Sequence, residues 1–315
     1  MEYRDLGTSG LRVSALCMGT WPLAGRMGAL GKSDAVTLIR RAIDQGVTFV
    51  DTAEGYGVAE ELTGKALGNG YRSKCIVATK VSSDFTADGV RRALDHSLEV
   101  LGTDYIDLYQ IHRFDRSVRL DETLGAVADA VGAGKIRFVG VSNFTVSQLE
   151  SARRITPIVS NQINYNALNR SPEMEMLPYC RNNMVALLAH SSLAKGLLSG
   201  KYRGGHTFAP DDERSRFAGY SGELLDRYLT LVAELREVAA DHGLTSSQAS
   251  LTWLLSHREV TSVLVGPKSA EQLDEAVPAA SGSDEERRKS LKRAMNETID
   301  RHGLPYLCPF EDQLV

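Results

Sequence analysis

Cysteine is scarce and scattered in this chain. The 315 residues hold four, Cys17, Cys75, Cys180 and Cys308. They lie too far apart for a zinc knuckle or a redox dithiol, and the histidines show no metal spacing, so no metal centre is expected. Cys17 and Cys75 sit inside apolar runs and read as small core residues. Charge of one sign is not in excess: a net charge of −4 gives no basic face for nucleic acid and no reason to expect an anionic membrane as partner. No apolar run approaches the roughly 20 residues of a membrane span. Met1-Glu2-Tyr3-Arg4-Asp5 opens the chain without an apolar export signal. A soluble, cytoplasmic protein is expected. Two nucleotide signatures are also missing. Gly132-Ala133-Gly134 lacks the third glycine of a dinucleotide fingerprint, and Gly25 stands five residues before Gly31-Lys32-Ser33 where a phosphate loop has four.

What the chain does have is alternation. With 43% hydrophobic and 24% charged residues it can bury a large core. Short β-rich runs end near Gly19, Asp51, Lys80, His112, Asn143, Gln162, His190 and Gly266, with helical periodicity between them. Ala35, Leu38, Ile39, Ala42 and Ile43 form one stripe on a helix predicted from Ser33, its N-cap, to Gln45. Gly46 and Gly134 suit helix C-caps. Strict alternation implies a parallel sheet, and eight units favour a closed (β/α)8 TIM barrel over an open sheet. Residues 3–15 read as a hairpin turning at Gly7-Thr8-Ser9-Gly10 and covering the barrel floor. Residues 200–222 read as a long mobile loop on the active face, and the tail as a charged helix from Asp284 to Arg301 followed by Gly303-Leu304-Pro305-Tyr306. No boundary interrupts the chain, so residues 1–315 are expected to form a single domain.

The candidate chemistry lies at strand ends. Asp51, Tyr56, Lys80 and His112 follow or close three separate apolar runs, and parallel barrels keep their chemistry at the carboxyl face where such residues gather. A phenol beside an ammonium, a carboxylate and an imidazole is a proton-donating set, because a neighbouring cation lowers the phenol's pKa. Taken singly, each has a plainer reading: a helix cap for Asp51, a surface charge for Lys80, a loop aromatic for Tyr56.

The order of motifs resembles the aldo-keto reductase superfamily over nearly the whole chain. It runs from Asp51-Thr52-Ala53-Glu54-Gly55-Tyr56-Gly57 through Lys80, His112, Gly134-Lys135-Ile136-Arg137 with Val139-Gly140-Val141-Ser142-Asn143-Phe144, and Asn161-Gln162. Gly196-Leu197-Leu198-Ser199-Gly200-Lys201-Tyr202 and Val265-Gly266-Pro267-Lys268-Ser269 complete it. The bacterial inositol-utilisation and general-stress branch looks closest. The resemblance implies reduction of an aldehyde or ketone by NADPH, with Tyr56 as acid, Lys80 tuning it, Asp51 holding Lys80, and His112 orienting the carbonyl. It places Gly19, Thr20, Trp21, Asp51, Ser142, Asn143, Gln162, His190, Ser191, Leu193, Lys201, Gly266, Lys268, Ser269 and Gln272 at the cofactor. Trp21, Tyr56, His112 and Arg113 fall at the substrate. Lys268 and free amides at the following helix start would favour NADPH over NADH.

This chain departs from that pattern at four places: His190 for a stacking Tyr or Trp, Ser192 for a proline that firms the loop, Ala276 for an adenine-binding Asn, and Arg113 for an aromatic residue. Arg113 points to hydroxylated or anionic substrates, unless it pairs with Asp115 at the rim. The implied partner is a small-molecule carbonyl, possessed of polar groups such as a keto-sugar's, and the chain a monomer or weak homo-oligomer. A cofactor-sensing regulatory subunit and a sugar-tailoring ketoreductase stay open as alternatives. Specificity is expected in loops 21–32, 113–119, 201–222 and 303–315.

Overall fold

A computed structural model describes residues 1–25, 30–282 and 284–307. Expectations for residues 26–29 of the first loop and 308–315 of the tail, with Cys308, lie outside the described residues. The chain begins with the expected hairpin, β1 (Tyr3–Asp5) antiparallel to β2 (Arg12–Ser14). Gly7 turns it at φ 54° and Gly10 at φ 74°, a region side chains avoid. A Cβ on Gly7 would lie 2.2 Å from the Val159 carbonyl oxygen, so the turn is pressed against the amino end of the barrel.

Eight parallel strands close that barrel: β3 (Leu16–Gly19), β4 (Phe49–Asp51), β5 (Ile76–Val81), β6 (Ile106–Ile111), β7 (Ile136–Ser142), β8 (Ile158–Asn164), β9 (Ala186–His190) and β10 (Val260–Val265), with β10 pairing β3. Helices follow the strands in turn: α1 (Lys32–Asp44), α2 (Ala59–Leu67), α3 (Ala87–Leu101), α4 (Leu120–Gly132), α5 (Val146–Arg153), α6 (Met176–Asn183), α7 (Gly222–Asp241), α8 (Ser246–Leu255) and α9 (Ala270–Ala276). An added helix, α10 (Glu285–His302), takes its N-cap from Asp284, which accepts from the Glu286 amide at 3.0 Å. The fold is a (β/α)8 TIM barrel with an N-terminal hairpin.

Local details refine the sequence reading. The apolar stripe of α1 is buried as its period predicts, but Gly31, not Ser33, is the N-cap; Ser33 lies inside the first turn and caps nothing. Gly46 and Gly134 do end their helices, at φ 86° and 74°. Lys80 lies one residue before the end of β5 instead of beyond it. The segment 200–222 forms 3-10 turns at Glu213–Arg216 and Ala218–Tyr220 over the carboxyl face.

Strand alternation divides the core in two. Outward residues such as Met18, Val50, Val77 and Tyr109 pack under the helices. Inward Cys17, Phe49, Ala78, Leu108, Leu188 and Leu264 fill the axis, with Leu6 and Val13 of the hairpin in the same cluster. Leu6 is fully buried and so acts as the stopper of the barrel floor. Leu6→Ala is therefore expected to cost about 3 kcal/mol of stability through the cavity it leaves. Urea denaturation would measure the loss, and activity per folded molecule should persist.

Candidate active site

Above the apolar filling, the next inward layer is polar. Asp51 from β4, Lys80 from β5, Gln110 from β6, Ser142 from β7 and Gln162 from β8 share it, with Lys80 paired in register to Gln110 and Ser142 to Gln162. Two features make room. A register shift after Val139, where Ile158 is followed by Ser160 in the pairing, re-aims β8, as bulges do. Gly140 has no side chain; a Cβ there would meet Ser160 Oγ at 2.4 Å.

Lys80 is fully buried and Asp51 nearly so. The Lys80 ammonium has three hydrogens and three acceptors: Asp51 Oδ1 at 2.5 Å, the Thr52 carbonyl at 2.9 Å and Tyr56 Oη at 3.5 Å. Asp51 Oδ2 accepts from Gln110 Nε2 at 3.0 Å and Gln162 Nε2 at 2.9 Å. Burial alone would lower the Lys80 pKa, but Asp51 and the Tyr56 phenol outweigh it and hold the ammonium charged.

Tyr56 lies in the 3-10 turn Glu54–Tyr56 after β4. Its ring is edge-on to Trp21, centroids 4.8 Å apart, and to His112, 5.6 Å apart. The expected net lowering of its pKa is not what the site produces. Burial raises the phenol above its ordinary 10, and Lys80 offsets that rise only in part. Tyr56 is thus protonated at neutral pH. Since Lys80 donates to Oη, the phenol's own hydrogen has no protein acceptor among the described residues. His112, directly after β6, bonds Ser82 Oγ through Nδ1 at 2.7 Å. Burial, then the charges of Lys80, His190 and Arg113, hold its pKa well below 6.5, so the ring is neutral and its Nε2 has no protein partner among the described residues.

A cleft of about 1620 Å³ crosses the carboxyl face. Tyr56 and His112 line it with Gly19, Thr20, Trp21, Asp51, Arg113, Ser142, Asn143, Gln162, His190, Ser191, Leu193, Lys201, Gly266, Lys268 and Gln272. Lys80 lies beneath it. Ser269 does not line it: its hydroxyl accepts from the Gln272 amide at 3.3 Å and caps α9, while Gln272 Oε1 takes the Lys268 amide at 2.8 Å. At this helix start the Gln272 amide is thus taken by the cap, and the Lys268 amide just before the helix by Gln272. Asn143, at φ 58°, donates to the His112 carbonyl and meets His190 Nε2 at 2.9 Å. His190 is pushed down to about 3 by burial and the charges of Lys80 and Lys195. Ser192 donates to the Ala189 carbonyl at 2.8 Å, a tether where a looser loop was expected. Arg113 and Asp115 do pair at the rim, at a long 3.9 Å.

Four contributors escaped the sequence reading: Gln110, Ser82, Lys195 and Arg214. Gln110 occupies an inward strand position two residues before His112, a signal alternation carries. The others depend on loops crossing. Lys195 pairs with Glu213, and Arg214, held bidentate by Asp212, donates to the Lys195 carbonyl at 3.0 Å and Tyr202 Oη at 2.6 Å.

Fold and site define a class: a closed parallel barrel that presents a lysine-supported phenol and a neutral imidazole at the floor of a long cleft. The model of the Aldo/keto reductase family matches residues 15–290. Aldo-keto reductase YhdN of Bacillus subtilis is 33% identical over 98% of both chains. L-glyceraldehyde 3-phosphate reductase of Escherichia coli O157:H7 is 36% identical over 89% of this chain and 87% of that protein. The structure of glycerol dehydrogenase AKR11B4 from Gluconobacter oxydans superposes with a TM-score of 0.87 at 28% identity, covering 98% of each chain. The chain belongs to the aldo/keto reductase family, a family of oxidoreductases. No helix among the described residues is long and apolar enough to cross a membrane.

The buried pair makes a prediction about stability. Lys80→Met strands the Asp51 carboxylate and is expected to cost about 3–5 kcal/mol, whereas Lys80→Met with Asp51→Leu costs clearly less. Chemical denaturation of the single and double variants measures the difference.

Proposed function

We propose that the protein reduces an aldehyde or ketone to an alcohol with NADPH, and that its substrates are small polar carbonyl compounds. The observation that carries this reading is Tyr56 Oη: supported by Lys80 at 3.5 Å and lying beside His112, it keeps its proton for a group in the cleft. The cleft suits a dinucleotide. It is larger than the ~300–1,000 Å³ of ordinary ligand pockets. Carboxamides of Asn143 and Gln162 line it, as do Lys201 and Lys268, cations that suit phosphates, while Lys195 and Arg214 beside them are held by Glu213 and Asp212. Gln162 donates through Nε2 to Asp51, which leaves Oε1 to accept from a nicotinamide carboxamide. Lys268 is the residue assigned to the adenosine phosphate that distinguishes NADPH from NADH.

When bound, the reduced nicotinamide supplies the hydride for the carbonyl carbon. His112 donates from Nε2 to the carbonyl oxygen in the tautomer whose Nδ1 accepts from the Ser82 hydroxyl. Tyr56 delivers its proton to the same oxygen as negative charge develops there. The phenolate left behind faces the Lys80 ammonium, which stabilises it. Asp51, Gln110 and Gln162 keep that ammonium from turning away. The named relatives support a small hydroxylated substrate, one being a reductase of L-glyceraldehyde 3-phosphate and another a glycerol dehydrogenase.

Tyr56→Phe is expected to lose reduction on the order of a thousandfold while binding NADPH as before; steady-state rates and cofactor titration check both. In the wild type the acting form is the protonated phenol, so kcat/KM should be flat from pH 6.5 upward and fall only as pH passes 10. Lys268→Glu should weaken NADPH by about tenfold and NADH far less, as read by the two dissociation constants.

A further inference from the structure

We infer that Arg113 and Arg116 form an anion subsite on the substrate side of His112, which takes the phosphate or carboxylate tail of a short carbonyl compound. The inference rests on the carbonyl-reducing role given to Tyr56 and His112. Both arginines lie in the loop between β6 and α4 and both line the cleft. Arg113 directly follows His112, and its positive charge is among those that depress the imidazole, so the guanidinium is close enough for the reacting centre to feel it.

Neither guanidinium is saturated. Arg113 is half-exposed, reaching the Ser82 carbonyl at 3.5 Å, Asp115 at 3.9 Å and the Phe85 ring at 5.1 Å. A guanidinium carries five donors in a fork that fits an oxyanion, and none of these contacts is a short charged bond. Asp115 pairs with it only through Oδ2 and at the long 3.9 Å, while its Oδ1 is held by the Ser117 amide at 2.8 Å and hydroxyl at 2.5 Å. Its carboxylate serves the turn. Arg116 is exposed and makes no hydrogen bond or ion pair among the described residues. Glu54, the other nearby carboxylate, lies behind the wall and bonds the Ser82 amide at 2.9 Å and the Ser83 hydroxyl. Glu175 lines the cleft ahead of α6 without an ion pair among the described residues, so a tail is repelled there and attracted at the arginines. A carbonyl group at Tyr56 and His112 with its tail at the following loop is a short molecule, bearing its charge a few bonds from the reacting carbon.

The test uses matched substrates: glyceraldehyde with glyceraldehyde 3-phosphate, and butanal with 4-oxobutanoate, which separate phosphate from carboxylate tails. In the wild type the charged member of at least one pair should have the higher kcat/KM, through KM, and the advantage should shrink with added salt. The charged-to-neutral ratio should fall about tenfold in Arg113→Gln and in Arg116→Gln and should not fall in Glu175→Gln. Calorimetric titration with glycerol 3-phosphate and with glycerate reads the subsite without turnover, and the favoured ligand should lose about tenfold in affinity in Arg116→Gln. Equal ratios in wild type and both arginine variants, or tail affinities that do not change, would overturn the subsite. Anion binding that depends on Arg116 in an enzyme that reduces none of the four compounds would sink the reductase reading and leave the anion site standing.

Discussion

The Lys80–Asp51 ion pair is the constraint around which the carboxyl face is built. A buried ammonium and carboxylate lose their water, and attraction between them repays the loss only when every remaining donor and acceptor finds a partner. Here each ammonium hydrogen has an acceptor and the second carboxylate oxygen has two amide donors. The pair and its partners come from four strands, β4, β5, β6 and β8, and the turn after β4. The register shift in β8 precedes Gln162, and the bare Cα of Gly140 leaves room for Gln110, whose Cγ a Cβ there would meet at 3.1 Å.

The pair also explains why one tyrosine can do what a free phenol does poorly. Burial in an apolar wall keeps Tyr56 protonated, and the cation beneath it waits for the charge that proton transfer would create. The support is arranged for the product of the transfer more than for the resting acid, which is how preorganised sites act. Burial, with the Lys80 charge adding to it, keeps His112 neutral, so desolvation sets the protonation of both neighbours and the ammonium adjusts it.

The sequence made the architecture readable because both signals are local. Short β-rich runs ended by polar residues or glycine marked all eight strands, and the 3.6-residue stripe of α1 marked its buried face. Asp51, Tyr56, Lys80 and His112 were readable for the same reason, each lying at or near a strand end. Ser33 misled because a serine near a helix start caps it only when its backbone is extended, and here Gly31 holds that place. The sign of the Tyr56 shift was hidden because desolvation depends on what packs around the ring. Ser82, Lys195 and Arg214 were hidden because their partners lie on other loops, and no spacing within a segment reports a crossing between segments. Lys268 and Ser269 are neighbours in the sequence, yet only the fold shows that the serine turns inward to cap α9.

One loop feature carries a consequence for how such enzymes diversify. Ala194, Lys195 and Gly196 are all left-handed, at φ 46°, 48° and 97°, and for the two residues with side chains this conformation is costly. What holds the turn is the segment above it, through Glu213 on the Lys195 ammonium and Arg214 on its carbonyl. The two stretches therefore form one structural unit. Transplanting the upper segment from another barrel without its matching lower turn would leave the backbone free to relax out of its left-handed path, and the graft would reshape the cleft wall as well as its roof.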